Sequence, residues 1–340
     1  MFELYTQLHA HLMNPDRIPY AMIAILVVAV VGMVTGPLGG NANPFLWQVY
    51  DVLFGRLGER LDKPGRGRAD LMMRGFVVLV FALVLAYLLG RVSQSMVVLF
   101  PLYGLVEILF LSLCLSAGSV WFALLRLYFT LEKEGKATGV FYAISRTSRV
   151  NLNSTDDYGI VRTAMGVAAV SFDRGLVAPV FWYLVGGLPL VFVYSVLAAL
   201  VWRFGKGGTG SGFADIVLAL EKIMGIVPTL LAGALFTAAS GLTPTASLQK
   251  SLAVWREARG KVPYAQGGIM LAALAWPLGV SLGGPVQDLS GDTVKNKWVG
   301  PEGASAKLDY LHLRRALYMS AVAHLYFIAA LGGAYLFSSL

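Results

Sequence analysis

The stretch "SFDRGLVAPVFWYLVGGLP", Ser171 to Pro189, places an Asp-Arg-Gly triplet directly against an apolar, aromatic run long enough to enter a membrane. The two charges allow two interpretations. Charged residues commonly mark the end of a membrane helix, where the lipid stops, and Asp173 and Arg174 would then be a surface ion pair of little energy. Polar groups that line a cavity within a membrane protein instead often have a function.

The composition of the whole chain indicates an integral membrane protein. Of the 340 residues, 57% are hydrophobic and only 14% are charged, which is far more apolar than a soluble domain. In a soluble protein the net charge of +8 would suggest a nucleic-acid partner. Here Lys and Arg in cytosolic loops explain the charge, so we predict one membrane domain over residues 1–340, a lipid bilayer around it and no nucleic-acid partner.

Hydropathy predicts an all-α, polytopic helical protein with about six transmembrane helices. A helix needs roughly 20 apolar residues to cross about 30 Å of hydrocarbon, and such runs occur near 19–36, 74–91, 97–118, 177–202, 223–241 and 317–338. A seventh run, "IMLAALAWPLGVSLGG" from Ile269, is short and contains Pro277. We expect it to be a re-entrant or buried helix.

Residues outside these spans have patterns of their own. In 46–61 the helical spacing of apolar residues predicts an amphipathic helix on the membrane surface; its apolar face comprises Trp47, Val49, Leu53, Leu57 and Leu61. Ser154 or Thr155 is expected to cap a helix that leads to Met165. Segment 285–308 is rich in Gly, Pro and polar residues, so loop or short strand is expected.

Basic residues predict which side of the membrane each segment faces. Segments 37–74, 119–176 and 242–316 hold 22 of the 27 Lys and Arg residues. Because cytosolic loops are enriched in Lys and Arg, this bias predicts a bacterial inner-membrane protein with these segments cytosolic and both termini outside. The same pattern places the loop "GKGGTGSG", 205–212, outside. Its glycines lack the spacing of a phosphate-binding loop, so a flexible linker is favoured over a nucleotide site.

Few other side chains suggest chemistry by themselves. Glu107 lies inside the third predicted span, where an ionisable group is costly; a functional carboxylate and one paired within the bundle are equally consistent with this position. The four His residues lack the spacing of metal ligands, so no metal site is predicted. Gln266 precedes Gly267 and Gly268, and offers an amide where the backbone can approach a ligand closely.

Several blocks together resemble the CobD/CbiB family of membrane proteins in cobalamin biosynthesis. The blocks "LGERLDKPGRGRADLMMRG", "GLVAPVFWYLVGGLPLVFVY", "IVPTLL", "WPLGVSLGGP" and "KNKWVG" occur in the family's order and approximate spacing between about residues 44 and 310. The resemblance implies a multi-span helical protein with a corrinoid ligand. It also implies that ATP and magnesium are used to join a corrinoid carboxylate to aminopropanol or its phosphate.

The chain departs from the family pattern where that chemistry is expected. The family's Glu-Asn-x-x-Asp corresponds to 170–174, which reads Val-Ser-Phe-Asp-Arg, and its Asn-Thr-x-Asp-Ser-Met corresponds to 198–203, which reads Ala-Ala-Leu-Val-Trp-Arg. An acidic pair ahead of Pro228 survives only as Glu221. Magnesium prefers carboxylate and phosphate oxygens, so these changes weaken the case for metal-nucleotide chemistry.

Two hypotheses about function follow. In the first the chain is a divergent amide-forming ligase that uses ATP and magnesium. In the second it is a catalytically degenerate relative, such as a membrane scaffold, a partner subunit of another membrane protein or of its own homo-oligomer, or an AmpE-like signalling protein. For the ligase we predict Asp173 and Glu221 as catalytic residues. For either hypothesis we predict the following ligand-binding residues: Arg174, Gln266, Gly267, Gly268, Gly283, Gly284, Lys297 and Trp298.

Overall fold

The computed structural model describes residues 17–63, 65–100, 104–208, 210–257 and 261–338, and most of them are helical. The α-helices are α1 Arg17–Thr35, α2 Phe45–Tyr50, α3 Arg56–Leu61, α4 Arg68–Leu99, α5 Leu105–Leu113, α6 Gly118–Glu134, α7 Tyr142–Ser148, α8 Asp157–Phe172, α9 Ala178–Phe204, α10 Asp215–Ser240, α11 Leu248–Glu257, α12 Gly268–Leu278 and α13 Tyr310–Ser338. Four two-residue strands follow α12: β1 Leu282–Gly283, β2 Val286–Gln287, β3 Thr293–Val294 and β4 Trp298–Val299.

The structure confirms the all-α membrane fold. Among the described residues, five helical runs are long and apolar enough to cross a membrane: Arg17–Thr35, Arg68–Leu99, Asp157–Gly207, Asp215–Ser240 and Tyr310–Ser338. The pair α5 and α6, bent by 47°, makes a sixth if it forms one span. Helix α12 has only 11 residues, too few to cross, as the sequence predicted.

The predicted third span, 97–118, is wrong in its bounds. Helix α4 ends at Leu99, and the bent pair that replaces the span covers Leu105–Glu134. The bend falls where Ser116 donates its amide to the carbonyl of Gly175 at 2.8 Å. Gly118 then packs directly on the backbone of Ala29. Contacts with two other helices therefore fix a break that hydropathy alone does not indicate.

The helical run from Asp157 to Gly207 folds back on itself. It passes through a π-helical turn, Asp173–Val177, and loses helical geometry at Gly186 and Gly187, where Gly187 has φ 66° and ψ −158°. Gly166 and Trp202 nevertheless line the same cavity. A straight helix would separate them by about 54 Å at 1.5 Å per residue. The chain therefore reverses at the two glycines and forms a helical hairpin, where the sequence predicted one crossing over 177–202.

This reversal overturns the prediction that loop 205–212 faces the side opposite segment 37–74. Arg203 pairs with Asp51, at 3.2 Å, and with Glu59. At the far end of the loop, Arg68 pairs with Asp215 at 2.8 Å. The loop therefore lies at the same end of the bundle as 37–74. Arg203 and Lys206 lie there with the basic residues of 37–74, and we call this end the basic face. The bias of Lys and Arg toward one side of the membrane therefore becomes stronger. The prediction that loop 205–212 lies on the other side is wrong because it assumed a single crossing over 177–202.

Residues 45–61 are helical, as predicted, but the buried face differs from the predicted one. Trp47, Tyr50 and Phe54 are buried, whereas Leu53 and Leu57 are exposed. The π-turn Asp51–Gly55 joins α2 to α3, and its wider turn rotates the following residues relative to an ideal helix. The segment therefore packs its aromatic residues onto α9.

Two smaller predictions have mixed outcomes. Asp156, and neither Ser154 nor Thr155, caps α8, because its carboxylate accepts the amide hydrogen of Gly159 at 2.8 Å.

Segment 285–308 contains loop and short strands, as predicted: β1 pairs with β4 and β2 with β3. This small structure contacts α8 through β1 and the segment before α8 through Asn151, which donates its amide to the carbonyl of Gln287 at 2.8 Å.

The placement of the loop can be tested by cysteine labelling in a Cys114→Ala background. We expect Gly207→Cys and Lys63→Cys to react with an impermeant thiol reagent from the same side of the membrane, because Arg203 ties their segments together. Ser95→Cys, near the other end of α4, should react only from the opposite side. Labelling of Gly207→Cys and Lys63→Cys from opposite sides would contradict the hairpin.

Candidate functional site

A cavity of about 210 Å³ lies between the two arms of the hairpin. The first arm contributes Gly166, Val167 and Val170 to its wall, and the second contributes Ala198 and Val201. The remaining wall comes from segments distant in sequence: Asn43, Trp47, Thr147, Ser148, Val150, Ala265, Leu271, Gly283, Val286, Val294 and Asn296. The hairpin therefore creates the cavity, and the loops of the basic face cover it.

The charged side chains that line the cavity are all cationic. Arg162, Arg174 and Lys206 belong to the lining, and no carboxylate does among the described residues. Around them the wall is apolar, with amides from Gln266 and from the Asn residues above. Since an apolar surround weakens screening, this cavity favours a negatively charged ligand group.

Arg174 connects the cavity to a buried polar cluster. Its Nε lies 3.4 Å from the Glu221 carboxylate, and both side chains are almost fully buried. The same guanidinium donates to the carbonyl of Tyr264 at 2.8 Å and stacks over its ring, with 4.5 Å between Cζ and the ring centroid. Burial raises the pKa of the Tyr264 phenol well above its usual range, so the hydroxyl is neutral and donates to the Glu221 carbonyl at 3.5 Å.

Asp173 belongs to the same cluster. Its carboxylate accepts a hydrogen bond from Thr229 at 2.8 Å and is buried. The interpretation of Asp173 and Arg174 as a surface ion pair at a helix end is therefore wrong. Both are interior groups on a π-turn, and neither is at a helix end. The extra residue of that turn changes the direction of the following side chains, as is common for π-turns at functional sites.

The structure brings the two predicted catalytic residues together but away from the cavity. Asp173 and Glu221 both surround Arg174, yet neither lines the cavity. Glu221 has no exposed surface. In this arrangement the carboxylates orient and neutralise Arg174, so they are positioned to hold the guanidinium that a ligand would meet.

The predicted ligand-binding residues divide into two groups. Arg174, Gln266 and Gly283 line the cavity, whereas Gly267, Gly268, Gly284, Lys297 and Trp298 do not. Gln266 is held by hydrogen bonds with Asn296 at 2.9 Å and with the Lys297 amide at 3.1 Å.

The second group has structural contacts instead. The Lys297 side chain is exposed, so only its backbone takes part. Trp298 stacks against Arg162, 5.3 Å from Cζ to the ring centroid. Gly284 packs against the Trp298 ring, Gly267 against Val170 and Gly268 near the Tyr264 ring. These residues support the lining without forming it.

Four lining residues were not predicted from the sequence as site residues: Arg162, Lys206, Trp47 and Trp202. Arg162 had no distinguishing motif. Lys206 was assigned to an outer linker because the hairpin was not recognised. A signal for the hairpin did exist in the pair Gly186-Gly187 followed by Pro189, since such residues commonly interrupt helices.

Glu107 forms a separate contact elsewhere in the bundle. It is buried and accepts a hydrogen bond from the Tyr183 hydroxyl at 2.9 Å. Arg17 lies near the same place, where it donates to the carbonyl of Leu184 at 3.2 Å. Of the two possibilities for Glu107, the structure favours the paired carboxylate.

The residues of the cavity do not fit the magnesium-nucleotide complex that the family resemblance implies. Magnesium requires carboxylate or other oxygen ligands, and the lining offers three cations. Among the described residues, no three His, Cys, Asp or Glu side chains come together as a possible metal site. The donor set suits an anion that binds without a metal.

Comparison with known proteins identifies relatives of the chain. The sequence model described as CobD/Cbib protein matches residues 50–320. Proteins named Cobalamin biosynthesis protein CobD are similar: that of Brucella anthropi is 29% identical over 254 residues, 72% of this chain and 77% of its own length. The Rhizobium meliloti protein is 28% identical over 271 residues, 77% and 82% of the two chains. No solved structure matches.

The ion pair of Arg174 and Glu221 can be tested by a double-mutant cycle. We expect Arg174→Met to lower the free energy of unfolding by about 3–5 kcal/mol, because it leaves buried carboxylates without their cation. Combining it with Glu221→Gln should restore part of this loss. Thermal unfolding in detergent, followed by circular dichroism, measures each step, and Arg256→Met on the exposed face of α11 is the control. Additive effects of the two substitutions would contradict the coupling.

Proposed function

Since the chain belongs to the CobD/Cbib protein family, we propose that it acts in cobalamin biosynthesis by binding an anionic group of a corrinoid in its cavity. The relatives that are named for this pathway support the role. We further propose that the chain does not activate the corrinoid carboxylate with ATP and magnesium. The chain is a multi-pass membrane protein, and we place the cavity at its cytosolic face in the bacterial inner membrane.

One observation carries this proposal: the cavity wall contains three cationic side chains and, among the described residues, no carboxylate. Positions 170, 174 and 201, where the family pattern has acids, are here Val, Arg and Val and form part of that wall. Exchanging a negative for a positive charge about 4 Å from a ligand charge reverses an interaction of about 4 kcal/mol at an effective dielectric of 20. Such a wall attracts a free carboxylate and repels a magnesium ion.

The size of the cavity limits which part of a corrinoid it can hold. Sites for whole drug-sized ligands typically have about 300–1,000 Å³, more than the roughly 210 Å³ found here. The cavity therefore suits a carboxylate-bearing side arm and leaves the corrin ring at the surface. Trp47 and Trp202 in its wall provide an aromatic surface for the apolar part of that arm.

A second candidate is the amide-forming ligase itself. The observation in its favour is that Asp173 and Glu221 lie together beside Arg174, which reaches the cavity. For this function the carboxylates would have to leave Arg174 and approach a nucleotide. The binding function is also compatible with a scaffold or a partner subunit, including a subunit of a homo-oligomer. These roles differ only in which protein receives the bound corrinoid.

Two measurements separate binding from ligation. Isothermal titration of the purified protein with ATP, with and without magnesium, should give no enhancement by the metal. Expression in a strain that lacks its own amide-forming enzyme should not restore growth that depends on cobinamide. Magnesium-enhanced ATP binding together with restored growth would overturn the proposal in favour of the ligase.

Corrinoid binding itself is directly visible. Protein purified in detergent and mixed with a corrinoid bearing free carboxylates should retain its colour through gel filtration. Arg174→Met should bind more weakly, and Arg256→Met should bind like the original protein. If the original protein retains no colour, the proposed ligand is wrong whatever the outcome with ATP.

A further inference from the structure

We infer that Lys206 and Trp47 form an oxyanion-binding subsite in the cavity, which binds a carboxylate or phosphate oxygen directly and without a metal ion. This inference deepens the proposed function and rests on it. Both residues line the cavity. The ion pair of Arg203 with Asp51 joins their two segments, so Lys206 and Trp47 belong to neighbouring walls.

Trp47 contributes a hydrogen-bond donor that the described part of the chain leaves unused. Its side chain is 4% exposed, and Nε1 is buried with no acceptor among the described residues. An indole N–H can only donate. Trp47 and Lys206 are the residues with such unpartnered atoms that also line the cavity, among the described part of the chain. Because the great majority of buried polar side-chain atoms have a partner, these two donors are available to an acceptor on a ligand.

Lys206 contributes a second unused donor and a charge. Its Nζ is buried and has no hydrogen-bond partner among the described residues. The charged neighbours that act on it are Arg149 and Asp288, but Asp288 forms no ion pair with it within 4.0 Å. Asp288 instead accepts the amide hydrogens of Ser290 and Asp292, at 2.9 and 3.0 Å. Nζ therefore has no matched anion among the described residues, and an oxyanion bound beside it would favour its protonated, charged form.

A water molecule would satisfy the hydrogen bonds but would not balance the charge. Arg162, in the same wall, donates to the carbonyl of Ala306 at 2.8 Å and stacks on Trp298, and no described carboxylate lies within 4.0 Å of it. Lys206 and Arg162 thus give the wall two cations without ion-pair partners. Charges with low surrounding dielectric interact strongly, so an oxyanion is the ligand that satisfies both the donors and the charge.

The test uses inorganic phosphate and succinate as probes with the full-length protein in detergent and no magnesium. Calorimetric titration should detect binding of at least one, and the stronger probe identifies whether the subsite is built for phosphate or carboxylate. Lys206→Met should weaken binding about ten- to hundredfold, as expected for a lost hydrogen bond to a charged group. Trp47→Phe, which removes the N–H and keeps an aromatic ring, should weaken binding about fivefold.

Matched variants separate the subsite from general charge effects. Lys250→Met removes one positive charge from an exposed position on α11, and should bind both probes like the original protein. Lys206→Arg keeps the charge and should retain most of the affinity. Thermal unfolding of every variant shows that lost binding does not come from lost folding.

The inference is overturned if Lys206→Met and Lys250→Met bind the probes equally, if neither probe binds, or if binding requires magnesium. Its failure is distinguishable from failure of the proposed function. A chain that binds phosphate or succinate through Lys206 but retains no corrinoid keeps the subsite and loses the proposed pathway role. Corrinoid binding that is unaffected by Lys206→Met keeps the role and removes the subsite.

Discussion

The reversal of the chain at Gly186 and Gly187 is the constraint on which the rest of the structure depends. Gly187 has a positive φ, which residues with a Cβ rarely adopt. Backbone groups freed inside a membrane protein need internal partners. Here Arg17 donates to the carbonyl of Leu184, and Gln94 accepts the amide hydrogen of Leu188 at 3.4 Å. Side chains from α1 and α4 thus stabilise the break.

The reversal determines which residues of the two arms of the hairpin meet. It brings Val170 opposite Ala198 across one cavity and returns Arg203 and Lys206 to the basic face. Arg174 occupies the centre of the first arm, where Glu221 and the Tyr264 carbonyl hold it. Removing charges from water costs several kcal/mol per ion, and a buried pair offsets this only with good geometry and further hydrogen bonds. The Tyr264 carbonyl and ring supply further contacts to the guanidinium, whereas the Glu221 carboxylate oxygens have no hydrogen-bond partner among the described residues.

The family match and the chemistry of the cavity are two separate observations on this chain. The family match covers residues 50–320, which includes both arms of the hairpin and the short strands. The wall that they form is largely apolar, and its charged side chains are cationic. Fold and function are separable because a site depends on a few side chains while packing depends on many. Glu221 pairs with Arg174, and Asp173 accepts a hydrogen bond from Thr229 beside them.

The sequence by itself determined the membrane class, the helical fold and the family. Each depends on averages or on motif order: apolar runs, the bias in Lys and Arg, and five blocks in sequence. It also predicted Asp173, Arg174, Glu221 and Gln266 as site residues; Arg174 and Gln266 line the cavity, whereas Asp173 and Glu221 lie beside Arg174 away from it, and their roles stay predictions.

Only the tertiary structure decided how the chain crosses and which side chains meet. The run 177–202 has the length and hydropathy of one span, so hydropathy could not show that it folds back at two glycines. Arg162 and Lys206 are ordinary basic residues until the hairpin brings them to one wall. The physical reason is that hydropathy measures transfer of each residue into lipid, whereas a cavity depends on contacts between residues far apart in sequence.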